Sequence, residues 1–485
     1  MKKNTFILII FLGLFSCNDF LEVEPSIPTP KEAFSSPESA PQLVNAVYSK
    51  LLDWNISSFS WIGISEITSD NADKGSDAGD TGADKHLLDS FDFSTDCFSC
   101  NEIWEGNYQG IARANQALNY LPDLAIEETL KNRLIGEVKF LRALFYFRLV
   151  RAFGGVPLIK SLPEIQNQED IDNGNTRATR ENVYAFIVED LEDAVEKTIL
   201  KSEYSDNDLG RVSKGAAISL LAKVFLYQEE WQKAFDMTSQ VMNMGYSLTS
   251  DYSKIWREIG ENNEESIFEI QARGELPNKG VDKYSVVQGA RGEGGFGWGF
   301  NSPSQNLHEA YEAGDSRRDA TIIYKGEILF DGFEVSTAAS NERYNQKAYV
   351  SKILETANQD DKRGNKNIRI LRYAEVLLIN AEAANELGLD ALSPLNQVRA
   401  RAFGDQNHSI IETDQASLRS LIWKERRLEL AMEHDRFFDL VRQKRAGRVL
   451  RAHGKNFVDG KNELFPIPQS QIDISNGKLE QNPGY

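Results

Sequence analysis

The stretch SDNADKGSDAGDTGAD sets Asp70, Asp73, Asp77, Asp80 and Asp84 among small residues. Carboxylates crowded in this way suit Ca²⁺, a hard cation that takes several oxygen ligands. The spacing departs from an EF-hand loop and no Glu closes it. A solvated acidic loop and a loop for sugar hydroxyls therefore stand beside the Asp70 to Asp84 calcium reading, and no other cofactor is expected. Cys97 and Cys100 form a C-x-x-C in DCFSCNE. Zinc would need a second pair of ligands, and a thioredoxin-like redox role would need a βαβ context that is absent. A small local disulfide that stiffens a loop in an oxidising compartment is the plainer reading. Gly292, Gly294 and Gly297 spell G-x-G-x-x-G. A dinucleotide fingerprint requires a strand before it and a helix opening at its end. Here Phe296, Trp298 and Phe300 interleave with the glycines and Pro303 follows. This is a loop that displays aromatic faces, or a packed turn whose aromatics are core.

A sugar presents an apolar face of C–H groups and a fringe of hydroxyls, so its site needs a flat aromatic ring with carboxylates, amides or Arg at the rim. The loop-borne candidates are Trp61, Asp70, Asn71, Asp73 and Phe98 from the first irregular segment, and Phe296, Trp298, Arg343 and Tyr344 from the second. The competing reading of each aromatic is loop packing. No catalytic residue is singled out: G-x-S-x-G, H-E-x-x-H and P-loop motifs are absent. A glycosidase needs a defined carboxylate pair, which the sequence does not pick out.

The elements that must hold these loops are helical. In RLIGEVKFLRALFYFRLVRAFGGVPLI (133–159), Leu134, Val138, Leu141, Phe145, Leu149 and Ala152 repeat at three- and four-residue spacing, and Phe140, Leu144, Phe147 and Phe153 add a second stripe. A helix apolar on two sides is a central one. It ends at Gly154-Gly155, and Pro157 prevents a restart. Further helices are expected near 42–52, at 103–121 and at 180–199. Residues 213–245, 372–402 and the stretch from Leu418 alternate small and large residues in helix-turn-helix units of tetratricopeptide length. Residues 56–101 read as loop-rich. Residues 250–369 carry short β-like runs (SIFEI, YSVVQ, AYVSKIL) and many glycines. The Glu425-Arg426-Arg427 run, with Glu429, Glu433, Asp435 and Arg436, reads as a structural network of helix-spaced ion pairs. Trp231 and Trp423 fall within helical patterns and belong to the scaffold.

The chain of 485 residues has a formal charge of −19, which disfavours a phosphate backbone as partner, so no nucleic acid is expected. A mean hydropathy of −0.43 argues against a polytopic membrane protein. Lys2-Lys3 followed by the apolar run Phe6 to Phe15 is a signal peptide too short to span a bilayer. It runs into Leu14-Phe15-Ser16-Cys17, which resembles a bacterial lipobox, with Cys17 as the lipidated mature N-terminus. Acyl chains on Cys17 would hold the protein on a membrane without a transmembrane helix. The expected organisation is a signal peptide (1–16), a Pro-rich tether (17–41), an N-terminal half with helical repeats (42–249) and a C-terminal half (250–485). The last comprises an irregular insert (250–369), helical repeats (370–450) and an extended tail in which LFPIP pins the chain to the body.

The ordered set SCNDFLEVEPS, ARANQAL, GEVKFLRALFYFRLVRAFGGVPLI, GWGFNSPSQNL with GDSRRDATI, RYAEVLLINAEAANELG, LNQVRARA, ERRLELAMEHDRFFDLVR, LFPIPQSQI and QNPGY resembles the SusD/RagB family of Bacteroidetes surface lipoproteins along nearly the whole chain. The resemblance implies a mainly α fold, a tetratricopeptide-like scaffold with an irregular, short-strand portion that carries the ligand site. It implies a non-enzymatic protein on the cell outer membrane that captures an oligosaccharide or other nutrient and serves as lid to a SusC-like TonB-dependent transporter. The alternative is a tetratricopeptide-like lipoprotein scaffold that binds only proteins.

Overall fold

Residues 140–153 are buried without interruption, as expected of a helix with two apolar stripes. In the computed structural model, which describes residues 34–77, 80, 82–163, 167–274, 280–292, 295–355 and 363–485, this helix lies at the centre of the largest hydrophobic cluster. Cys17, the signal peptide, most of the tether and Gly294 lie outside the described residues.

The principal helices are α1 (Ser39–Lys50), α2 (Phe98–Tyr120), α3 (Glu128–Phe153), α4 (Arg180–Lys197), α5 (Lys214–Tyr227), α6 (Trp231–Met242), α7 (Tyr373–Leu387), α8 (Leu392–Phe403), α9 (Gln415–Glu429) and α10 (Arg436–Arg442). The central helix α3 opens where the Glu127 carboxylate accepts from Thr129 N and Leu130 N, both at 3.0 Å. It closes at Gly154, whose φ of 74° no β-carbon favours. α3 packs on α2 and α4, α4 on α5, α5 on α6, α6 on α7, and α7 on α8 and α9. Each helix thus leans on the next, as in repeat proteins. The small residues read from the sequence lie at these seams: Ala217, Ala222, Ala234, Ala381 and Ala384 are fully buried. Asn380 Nδ2 also donates to Thr238 Oγ1 at 3.0 Å, pinning α7 to α6. Trp231 packs against this core, and Trp423 Nε1 donates to Glu382 at 2.8 Å.

Strand is scarce. Among the described residues, β1 (Ala72–Gly75) pairs with β4 (Phe300–Pro303), β2 (Ser266–Ile270) with β8 (Ile368–Arg372), β3 (Val281–Asp282) with β7 (Arg363–Gly364), and β5 (Ile322–Tyr324) with β6 (Arg343–Asn345), all antiparallel. SIFEI is thus a strand, but YSVVQ is a short helix, Tyr284–Gln288, and AYVSKIL forms no regular element. A five-residue apolar run has too little periodicity to decide between helix and strand. Residues 56–101 are also more ordered than a loop. They hold the short helices Trp54–Ser57 and Phe59–Ile62, a π-turn Gly63–Ile67 and the helix Ala83–Ser90.

Buried ion pairs fasten the irregular insert to the scaffold. Arg317 meets Asp315 at 2.7 Å, Glu425 at 2.7 Å and Glu429 at 3.0 Å. Arg372 of β8 meets Glu265 and Glu433, each at 2.8 Å, and also Glu429. Burial opposes ionisation of Glu429, but Arg401, Arg372 and Arg317 together hold its carboxyl far below the usual range. The network is structural, as the sequence suggests. Its main partners nevertheless come from distant segments and not from helix-spaced neighbours. At the far end, Phe465 N donates to Ala152 O at 2.8 Å and Asn482 Nδ2 to Phe153 O at 3.0 Å, so LFPIP is moored to the end of α3.

Candidate functional site

The two irregular segments meet through the β1·β4 pair, in which Asp73 faces Ser302 and Gly75 faces Phe300. The approach is close enough that a β-carbon on Gly75 would lie 2.4 Å from Gly299 O, so only glycine fits. Upstream of β4, the loop folds back on the helix Tyr284–Gln288. Trp298 N donates to Val286 O at 2.8 Å, and a β-carbon on Gly297 would sit 2.4 Å from Gly289 Cα. Gly295 and Gly297 therefore let backbone lie against backbone and aim one indole.

That indole, Trp298, faces Trp54 with ring centroids 6.3 Å apart and planes at 55°. Phe59 lies edge-on to both, at 5.7 Å from Trp54 and 6.4 Å from Trp298. All three rings are half-buried over a floor of Ile62, Ile67, Val287 and Phe300. Lys283 Nζ stands 5.0 Å from the Trp54 ring and 5.6 Å from the Trp298 ring, within cation–π range. The backbone of Lys283 is left-handed (φ 57°), a conformation a side chain resists and that is concentrated at functional positions. Glu102, from the first turns of α2, accepts from Trp54 Nε1 at 3.1 Å and from Ser60 Oγ. Phe98, one helical turn before Glu102 on the same face, is 56% exposed. The result is a shallow aromatic platform with an ammonium and a carboxylate beside it, suited to a ligand with apolar faces and a polar fringe.

Several expected contacts lie elsewhere. Trp61 is only 5% exposed, stacked on Phe438 and beneath the Arg148 guanidinium, so it is core. Asp70 is buried in a two-point pair with Arg436 (2.7 and 3.0 Å) and touches Arg427 at 3.1 Å, which keeps its carboxyl well below the usual range despite burial. Asn71 is buried between Glu66 and Arg427. Tyr344 is fully buried, its hydroxyl accepting from Asn341 N at 2.7 Å. Phe296 turns away from the platform to pack on Phe333 and Tyr349. Arg343 donates to Pro303 O at 2.8 Å and to Gln305 at 2.9 Å, bracing β4. Asp73 stays exposed, 3.1 Å from His453 Nε2. Of the nine expected contacts, Trp298 alone lies in the aromatic cluster; Phe98 stands near it.

The aspartates are likewise dispersed. Asp77 and Asp80 pair with Arg291, and Asp84 with Lys85. Among the described residues no group of three or more His, Cys, Asp or Glu could hold a metal ion. Cys97 and Cys100 are disulfide-bonded, and Cys97 caps the N-terminus of α2 by accepting from Cys100 N at 3.2 Å. Trp54, Phe59, Glu102 and Lys283 escape the sequence reading. The signal present was a Trp directly after the end of the first helix, in DWNISSFSW.

Comparison with known proteins accounts for both halves of the chain. A family model described as the SusD family matches residues 264–485, and one described as starch-binding associating with outer membrane matches residues 19–226. The chain is similar to SusD-like protein P2 of Formosa agariphila, at 28% identity over 515 residues that cover 100% of this chain and 99% of the relative. Its backbone superposes on a laminarin binding SusD-like protein with a TM-score of 0.80 at 29% identity, covering 93% of this chain and 100% of the other. Surface glycan-binding protein A from Bacteroides fluxus gives 0.77 at 27% identity with the same coverage. With family models matching residues 19–226 and 264–485 and a shared helical architecture, the chain belongs to the SusD/RagB family.

Proposed function

We propose that the protein captures an oligosaccharide at the cell surface on the platform of Trp54, Trp298 and Phe59, with Lys283 and Glu102 bonding the hydroxyls at its edge. The observation that carries this reading is the paired, half-exposed indoles brought together from segments far apart in the chain. Indole faces stack on the C–H face of a sugar, and a charged rim fixes its orientation. The likeness to a laminarin binding protein supports a β-glucan as the first ligand to try. Glu102 holds Trp54 Nε1 and Ser60 through the single oxygen Oε2, which leaves Oε1 for a sugar hydroxyl, and binding without catalysis is supported by the likeness to binding proteins. From the family, we infer that the ligand passes to a SusC-like TonB-dependent transporter for which this protein is the lid. Lipid on Cys17 would hold it on the outer membrane, and the two halves, 42–249 and 250–485, would form the body.

Isothermal titration of the mature protein against a panel of soluble polysaccharides that includes laminarin tests the proposal. At least one member should bind, and Trp54→Ala and Trp298→Ala should each weaken that binding about tenfold or more, near 1.4 kcal/mol. Both substitutions sit at half-exposed positions, so the melting temperature should change little. If no member binds, the glycan reading gives way to the protein-binding scaffold. If a bound glycan is found to release new reducing ends, the non-enzymatic reading fails.

A further inference from the structure

A cavity of about 40 Å³ lies inside the body, walled by α3, Trp61, β8 and the turn before α10. That is room for a few water-sized particles. It is separate from the aromatic platform and lined by Ser57, Trp61, Arg148, Ile370, His434 and Asp435 among others.

Its charges do not balance. Asp435 is shared by Arg151 at 2.8 Å and Lys223 at 2.5 Å, and Lys223 also meets Glu375 at 2.9 Å. Glu433 is taken by Arg372 at 2.8 Å and Lys347 at 2.7 Å. Arg369 faces Glu269 at 3.5 Å. Arg148 is left over. It is 2% exposed, donates from Nη1 to Ile56 O at 2.9 Å, lies over the Trp61 ring at 4.7 Å, and has no carboxylate within ion-pair distance among the described residues. Burial and the neighbouring charge of Arg151 lower its pKa to about 9, with Asp435 opposing. Two further polar atoms of residues that line this cavity, Ser57 Oγ and His434 Nδ1, have no hydrogen-bond partner among the described residues. His434 Nε2 is engaged with the Tyr284 hydroxyl at 2.9 Å, and its Nδ1 is 3.8 Å from the Glu66 carboxylate.

A buried cation with one neutral acceptor is costly, and a ring face offsets only part of the lost hydration. Water would satisfy the hydroxyl and the imidazole but would leave the charge. We propose that this cavity binds one small monovalent anion, chloride in ordinary media, held by the Arg148 guanidinium and the Ser57 hydroxyl. The anion would then be a structural part of the junction between the central helix and the C-terminal half. Binding to the folded state alone links its concentration to stability.

The test uses the whole mature protein. Crystals grown in sodium bromide should show an anomalous peak in contact with Arg148; a cavity filled only with water under those conditions overturns the proposal. In solution, the melting temperature in sodium chloride should exceed that in sodium gluconate at equal ionic strength and climb with each tenfold rise in chloride. Equal melting in the two salts also overturns it. Arg148→Met should abolish the chloride dependence. Should that variant fail to fold, Ser57→Ala, which keeps the cation and removes one donor, should still melt cooperatively with a weaker response to chloride. An unchanged response in Ser57→Ala removes Ser57 from the site and with it the geometry proposed.

Discussion

Glu66 is fully buried in the π-turn Gly63–Ile67, where its carboxylate accepts from His434 N at 2.8 Å, Met432 N at 3.2 Å and Asn71 Nδ2 at 3.2 Å. Burial outweighs these bonds and raises its pKa to about 7. A folded pKa above the unfolded one means that the native state holds its proton more tightly. The associated stability is therefore complete below about pH 4.5 and is lost as pH rises toward 7, by about 3 kcal/mol in all. Relative to wild type, Glu66→Gln should gain unfolding free energy between pH 5 and pH 8, measured by urea denaturation at both. His434, lowered to about 4 by burial, works in the opposite sense, its contribution growing as pH rises, and with Nδ1 3.8 Å from the Glu66 carboxylate it is read together with Glu66. An unaltered pH dependence in the variant would show that Glu66 keeps an ordinary pKa. At this scale the sequence says least. SDNADK does not distinguish Asp73, which faces solvent, from Asp70, which clamps an arginine 366 positions away. Trp61 and Trp54 are equally aromatic, and only the turn of Phe59–Ile62 sends one inward and leaves the other at the surface.

The elements divide by how their pairing is encoded. α3, α5 and α7 carry their burial pattern within a few turns, so periodicity and the glycine stop at Gly154 locate them. The strands are two to five residues long, and their partners are remote, so no local pattern announces β1·β4. The same remoteness explains the ion-pair network, in which Arg372 of β8 reaches Glu429 and Glu433 at and beyond the end of α9. Arg372→Met would leave three buried carboxylates short of a partner, Glu265 among them. It should cost about 3–5 kcal/mol of stability, read as a fall in the urea midpoint. A loss below about 1 kcal/mol would mean that Arg401 and Lys347, which already hold these carboxylates, suffice without Arg372.

For the whole molecule, the readings of the N-terminus and of the body meet in one prediction. If lipid on Cys17 is the anchor, Cys17→Ser should abolish incorporation of labelled palmitate; no helix among the described residues is long and apolar enough to cross a membrane. Undiminished labelling of the variant would place the lipid elsewhere than on Cys17. The general architecture is legible in the sequence because helices that lean on their neighbours leave a repeating imprint, whereas the platform is assembled by loops whose glycines record only that two backbones touch. That assembly bears on when the protein becomes competent. Trp54 and Glu102 emerge early in synthesis, Trp298 emerges in the second half, and Arg427 and Arg436, which grip Asp70 behind β1, come near the end. If the platform is the sugar site proposed above, an unfinished chain would therefore have no grip on sugar.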